Sequence, residues 1–253
     1  MGAVGRRVLV TGGSRGIGRA VAEAFARDGA RVAVHSTGAE PHVAEGVAQS
    51  LEGGPHLSVA GDVSDPEAAR ALVAEAVDGL GGLDVLVNNA GVFDELDPLT
   101  ATYDAWQRHW RRTVDVDLLG PAWVTFCALP HLVASGSGRV VDVGSRGASR
   151  GEPTAVAYGA AKAGLTAMGQ SLAVALAPHG VAVGSVLPGF VATDMATHVL
   201  EGPRGDAVRA QSPAGRVGQP EEVAAAVLFL ADPGSMWSTG AALDVNGASY
   251  LRT

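Results

Sequence analysis

Strands and helices alternate along this chain from end to end, and nothing else in the sequence limits its fold so tightly. Apolar, β-branched runs at 7–10, 31–34, 84–87, 139–143, 180–187 and 242–245, with a weaker one at 57–60, have the length and composition of buried strands. Ala-rich segments of helical length separate them at 16–28, 40–51, 65–79, 102–134, 154–177 and 219–231. Strands apolar on both faces need cover on both, and helical crossovers supply it. The pattern therefore predicts an α/β fold, a doubly wound parallel sheet with helices on both faces. No repeat, charge block or low-complexity linker divides the 253 residues, so the chain reads as a single domain over 1–253. The longest unpatterned stretch, 189–218, is rich in Gly and Pro and reads as a lid over a site.

The first strand runs into Thr11-Gly12-Gly13-Ser14-Arg15-Gly16-Ile17-Gly18 and straight on into a helix. Glycines at 12, 16 and 18 allow a tight turn, close approach of a pyrophosphate and close packing of helix on strand, while the helix start offers free N–H groups to phosphate. In that strand–turn–helix setting the turn predicts a Rossmann-type dinucleotide site, with Gly13, Ser14, Arg15 and Ile17 in the phosphate loop. The second strand ends in Val34-His35-Ser36-Thr37-Gly38, with no carboxylate to take ribose hydroxyls. An adenosine 2′-phosphate is then tolerated and meets Arg15, Ser36 and Thr37, so NADP(H) is expected as the preferred cofactor, with NAD(H) the alternative.

Composition narrows the partners. A formal net charge of −8 with scattered arginines gives no basic footprint for nucleic acid or anionic lipid. Cys127 is the sole cysteine, in the apolar run 123–129, and reads as a buried core thiol in a reduced, cytoplasmic protein. No uninterrupted apolar run reaches the roughly 18–20 residues of a membrane span; the one after Ser171 is broken by Pro178, His179 and Gly180. Arg6-Arg7 is followed by too short an apolar stretch to act as an export signal.

Of the 18 basic residues 17 are arginine, and the one lysine, Lys162, stands four residues after Tyr158, one of three tyrosines. On a helix the two share a face. A phenol of pKa near 10 is a poor acid–base catalyst at neutral pH. A compact ammonium one turn away favours the phenolate and can still hydrogen-bond ribose hydroxyls, which a planar guanidinium does poorly.

The glycine turn, Asn88-Asn89-Ala90-Gly91 after the fourth strand, Ser145 after the fifth, Tyr158-x-x-x-Lys162, Pro188-Gly189-Phe190-Val191-Ala192-Thr193 and Gly215–Val223 occur in this order. Together they resemble the short-chain dehydrogenase/reductase family over nearly the whole chain. The glycine loop and the 188–195 stretch look most like 3-oxoacyl-acyl-carrier-protein reductases. The resemblance implies that Tyr158 donates the proton, Ser145 orients the substrate oxygen, and Lys162 holds the ribose and lowers the tyrosine pKa. It implies that Asp62-Val63 and Asn89-Ala90-Gly91 flank adenine and ribose. Pro188, Gly189, Val191 and Thr193 would lie at the nicotinamide, and a tetramer would form through the long helices and the C-terminal strand.

One departure touches the chemistry. The family's fourth catalytic residue is an Asn in an Asn-x-x-Gly setting, and this chain has Asp117-Leu118-Leu119-Gly120. That position chiefly offers its carbonyl to a water leading to the lysine. Pro121, four residues on, has no N–H, so the Asp117 carbonyl is expected to stay free while its carboxylate raises the lysine pKa. Val245-Asn246-Gly247 and Gly184 depart from the family at positions that look structural.

Other constellations are absent. The seven histidines show no zinc spacing, and each reads as a surface or helix-end residue; no metal is expected. Residue 143 is Val, which breaks a Gly-x-Ser-x-Gly elbow at Ser145. The reading is reduction of a small or carrier-bound ketone, 3-oxoacyl or polyketide-like, to a secondary alcohol. An NAD-dependent alcohol or sugar dehydrogenase is the rival. From a different class comes a catalytically impaired nucleotide-binding sensor or scaffold, motivated by Asp117. Substrate choice falls to the lid at 190–212, to Phe93–Leu96 and to Arg146–Glu152, where Arg146 and Arg150 could meet an anionic group on the substrate but are expected as two solvated arginines.

Overall fold

The computed structural model describes residues 4–39 and 41–252. Seven strands, β1 (Arg7–Val10), β2 (Arg31–Ser36), β3 (Leu57–Ala60), β4 (Val85–Asn88), β5 (Arg139–Val143), β6 (Ala182–Pro188) and β7 (Ala242–Val245), form one sheet in the order β3-β2-β1-β4-β5-β6-β7. Every pairing is parallel. Nine α-helices occur among the described residues: α1 (Gly16–Arg27), α2 (Pro41–Ser50), α3 (Pro66–Leu80), α4 (Tyr103–Val114), α5 (Gly120–Ala134), α6 (Val156–Leu176), α7 (Asp194–Leu200), α8 (Gly205–Arg209) and α9 (Pro220–Ala231). Glu40, where the second helix was expected to begin, lies outside the described residues.

Strand side chains alternate between faces, and each face has its own core. Val8, Val10, Val32 and Val34 pack with α1, α2 and α9 on one side, while Leu9, Ala33, Leu86 and Val140 pack with α3, α5 and the end of α6 on the other. Local signals set the helix ends. Asp65 caps α3 by accepting from the Glu67 and Ala68 amides, Pro66 follows it, and Gly81 closes the helix at φ +76°. Glu222 reaches back to the Gln219 amide at the start of α9. The chain leaves β1 toward β3 on one side and β7 on the other, so a crevice opens at the carboxyl ends of β1 and β4.

Two segments differ from the sequence expectation. The helix at 102–134 runs continuously over Tyr103–Ala134 but widens to a π-helical turn at Asp115–Leu119, with the Gly120 amide donating to the Asp115 carbonyl. Pro121 has no N–H and its ring would crowd the carbonyl four residues back; an extra residue in the turn relieves both. This 32-residue helix is long and apolar enough in composition to cross a membrane, although Pro121, Pro130 and His131 interrupt it. In this fold Val124, Ala128 and Leu132 of α5 are buried against α3 and the sheet. The unpatterned stretch 189–218 contains α7 and α8, which at seven and five residues are too short to show a period. Cys127 is half-buried at the edge of the second core rather than fully inside it.

Candidate active site

The crevice at the β1 tip is built by the glycine turn. Gly12 adopts φ +61°, and a Cβ there would stand 2.9 Å from the Ala90 Cα. A Cβ on Gly18 would come within 2.2 Å of the Gly12 carbonyl oxygen, so the start of α1 packs directly on the turn. Two side chains hold the turn from opposite sides. Asn89 donates to the Thr11 and Gly12 carbonyls, both at 3.0 Å, and Thr11 Oγ1 accepts from the Asn89 and Ala90 amides. From β2, His35 Nδ1 accepts from the Gly12 amide at 3.0 Å. Arg15 is the N-cap of α1 with no side-chain cap, and the first turn carries no acid, so the leading amides of this 12-residue helix are free for phosphate.

A dinucleotide fits these residues. The turn, packed where Cβ atoms would collide, leaves backbone to face the pyrophosphate, and the buried Ser36 Oγ at the β2 tip has no partner. Arg15 and Thr37 are exposed beside it. Thr193 of the lid crosses over Gly16, its Cγ2 in reach of a Cβ placed there. Not every predicted cofactor residue turns a side chain to the crevice. Val63 is buried against Gly120, Asp62 accepts from the Ser64 amide and hydroxyl, and Val191 lies in the core. Pro188 ends β6 and is buried, while Gly189 packs on Asn246.

Across the crevice stand Ser145, Tyr158 and Lys162. Ser145 follows β5, and its Oγ accepts from the Gly147 amide at 3.0 Å. The half-buried Tyr158 ring packs edge-on against Phe93, with centroids 5.0 Å apart. Lys162 is buried, with Nζ 5.7 Å from the Tyr158 ring centre, donating to the Val143 carbonyl at 3.1 Å and lying 3.4 Å from Asp117 Oδ1. Burial pushes the Tyr158 phenol above its ordinary pKa, outweighing the Lys162 ammonium and the Ser145 hydroxyl, which pull it down. The lysine therefore acts on the phenol in the expected sense, but in the chain by itself the net shift is upward.

Asp117 is wholly buried on the π-helical turn. Its Oδ1 accepts from the Val92 amide at 3.2 Å and its Oδ2 has no partner. A Cβ on Gly91 would meet Oδ1 at 2.5 Å, so only glycine lets the chain pass behind the pair. Burial works against both charges; for Lys162 the Asp117 carboxylate overcomes it and lifts the ammonium pKa above the ordinary lysine value. A second buried acid lies beneath. Asp142 of β5 accepts from Asn88 Nδ2 at 2.8 Å, its other oxygen is unpartnered, and burial raises it to about 6.

The segments assigned to substrate choice come together, and one expectation about them is corrected. Glu95 pairs with Arg204 of the lid and accepts from Thr154. Arg146 is not a solvated residue: it is 3% exposed. Its guanidinium donates to Gln211 of the lid at 2.6 Å and to Ser249 at 2.8 Å, stands over the Phe190 ring, and lies 3.3 Å from Glu152. It lines a cavity of about 180 Å³ with Phe190, Val208, Ser212 and Asn246. Arg150, half-buried, shares Gln211 and Glu152. The signal for Arg146 in the sequence was its place beside Ser145, a position pulled inward by the strand end.

A family model described as enoyl-(acyl carrier protein) reductase matches residues 12–248. The chain is 37% identical over 250 residues to the 3-oxoacyl-[acyl-carrier-protein] reductase of Vibrio cholerae, covering 98% of each protein. It belongs to the short-chain dehydrogenase/reductase family. As an oxidoreductase of this family it is also 35% identical to the L-rhamnose 1-dehydrogenase (NAD(P)(+)) of Azotobacter vinelandii, covering 98% of each. Among solved structures, a short-chain dehydrogenase from Burkholderia cenocepacia in complex with NADP matches with a TM-score of 0.87 at 34% identity, covering 98% of this chain and 99% of that one. A dehydrogenase/reductase from Sinorhizobium meliloti matches with a TM-score of 0.89 at 34% identity, covering 98% and 96%. The relatives' names include 3-oxoacyl reductase, sugar dehydrogenase and cis-4-hydroxycyclohexanecarboxylate dehydrogenase, so membership fixes a nicotinamide-dependent oxidoreductase while the substrate rests on this chain's own side chains.

Proposed function

We propose that this protein reduces a ketone, 3-oxoacyl or polyketide-like, to a secondary alcohol with NADPH. The observation that carries the reading is the convergence of Ser145, Tyr158 and Lys162 opposite the glycine turn. Bound NADPH supplies the hydride. Ser145, held by the Gly147 amide, and Tyr158 hold the carbonyl oxygen, and the phenol gives it a proton as negative charge develops there. A phenol above its ordinary pKa is fully protonated at neutral pH, which suits an acid in the reductive direction, while the nearby ammonium eases release of the proton. Lys162 also takes the ribose hydroxyls.

Preference for NADP(H) over NAD(H) is supported by the missing acid at the β2 tip, by exposed Arg15 and Thr37, and by the unpartnered Ser36 hydroxyl. The lid at 189–218 closes on the substrate through Gln211 and Arg204. Trp123 and Phe126 on α5, Val174 on α6 and Phe229 on α9 are exposed apolar side chains that support assembly, as a tetramer, in a reducing cytoplasm where Cys127 stays free. The L-rhamnose 1-dehydrogenase relatives favour a second reading, oxidation of a sugar with NAD(P)+.

Initial rates on 3-oxoacyl thioesters, cyclic ketones and sugars with each cofactor test the proposal. The expected result is kcat/KM at least about tenfold higher with NADPH than NADH, narrowed by Arg15→Ala. Turnover confined to sugar oxidation, or a preference for NADH, would overturn it.

A further inference from the structure

His35 departs most from what its residue type suggests. It lies one residue before the end of β2 and is completely buried. Its Nδ1 is 3.0 Å from the Gly12 amide, and its Nε2 is 2.8 Å from the Gly61 carbonyl. An amide N–H only donates and a carbonyl only accepts, so Nδ1 is bare and Nε2 carries the hydrogen. Both bonds require the same neutral tautomer. The backbone repeats the tie: the Gly13 amide donates to the His35 carbonyl at 2.9 Å, and the Gly61 amide donates to the Ser36 carbonyl at 3.1 Å.

One imidazole thus joins the glycine turn, the β2 tip and the β3 tip, the three pieces expected to hold the adenosine half of the cofactor. Asn89 grips the carbonyls of the same turn from β4, and Gly12 has no room to shift toward Ala90. The Gly12 amide is therefore fixed by a group that loses its acceptor on protonation.

We propose that His35 is a positioning residue for the nucleotide, holding the glycine turn in its binding conformation only as the neutral imidazole, so that acidification releases the turn and weakens cofactor affinity. The inference rests on the dinucleotide reading of the crevice. Burial holds the ring below the ordinary imidazole pKa. On the β3 side Asp62 acts on it in the opposite sense, and on the turn the charged residue is Arg15, exposed at the start of α1. The turn therefore stays locked through neutral pH and lets go only in acid, below the ordinary imidazole range near 6.5.

Fluorescence titration of the whole protein with NADPH and with NADH, from pH 8 to pH 5, tests this on wild type, His35→Gln and His35→Leu. Gln offers a carbonyl and an N–H that do not titrate. It should bind within a few-fold of wild type at pH 8 and weaken less in acid, so that the wild-type to Gln ratio of Kd rises about tenfold by pH 5. The ratio cancels titration of the nucleotide's own phosphate. Leu leaves the Gly12 amide unpaired, so it should bind about tenfold more weakly than Gln at every pH and converge with wild type in acid. Wild-type and Gln curves that fall in parallel, or Leu binding as tightly as wild type at pH 8, would overturn the proposal. Ring-nitrogen NMR of wild type provides a check that does not depend on how the variants fold. His35 should show the Nε2–H tautomer and titrate at the midpoint of the Kd curve; titration with no change in Kd counts against the idea. If wild type binds neither nucleotide at any pH, the dinucleotide reading fails instead.

Discussion

Replacing Asp117 with Asn isolates the effect of a buried charge. The Asn side chain can keep the acceptor that takes the Val92 amide at 3.2 Å, so the π-helical turn is expected to hold its shape. What disappears is a carboxylate 3.4 Å from Lys162 Nζ. At an effective dielectric near 20, a pair at that distance is worth about 5 kcal/mol, a ceiling of about 3.5 pH units on the lysine. The carboxylate also raises the Tyr158 phenol. Removing it lowers both pKa values, so both limbs of the pH–activity bell should move toward acid. The alkaline limb should move further because Lys162 is the group in contact; about one to two units is expected after solvent relaxation. Rates in the alcohol-oxidising direction from pH 6 to pH 12, with thermal melts at each pH to confirm folding, measure the shift. Profiles that superpose within a few tenths of a unit, with the fold intact, would refute a charged Asp117 coupled to the lysine.

Asp142→Asn should stabilise the fold at alkaline pH. The native state raises this carboxyl from 3.8 to about 6, so its contribution is fully present below pH 4 and is lost as pH rises through 6. The gap is worth up to about 3 kcal/mol, and urea denaturation should show a gain of about 1–3 kcal/mol at pH 8 and little at pH 4. Lys162→Arg keeps the charge, but the guanidinium cannot reproduce a buried ammonium bonded to the Val143 carbonyl; kcat should fall at least about 100-fold, with nucleotide binding weakened less. Arg146→Ala unties Gln211 and Ser249, so KM should rise about tenfold with kcat changed less, and Lys should not rescue it because a single ammonium cannot span Gln211, Ser249 and Glu152.

The sheet was legible in the sequence because its strands are buried on both faces and punctuated by glycine, and even the weak run at 57–60 forms β3. The start of β6 was read two residues early, since Gly180 at φ +74° closes a 3-10 turn before the strand can begin. The Tyr158–Lys162 spacing announced itself through the rarity of lysine. Charge and burial at single residues were harder to read. His35 reads as a surface or helix-end residue, yet it is fully buried in β2, where the glycine turn needs its Nδ1. Arg146 looks solvated until the lid and the C-terminal turn bring Gln211 and Ser249 to it. Pro121 signalled a broken bond behind Asp117, but not that the helix would accommodate it with a π-helical turn.

In the proposed mechanism the Tyr158 phenol supplies the proton from a site assembled around it. Tyr158→Phe removes one oxygen and leaves the ring against Phe93. The direct measurement is ketone-dependent oxidation of NADPH by this variant beside wild type, with the NADPH Kd determined on the same samples. Unchanged nucleotide affinity with loss of nearly all turnover is the expected result. Substantial turnover surviving in the variant would contradict it.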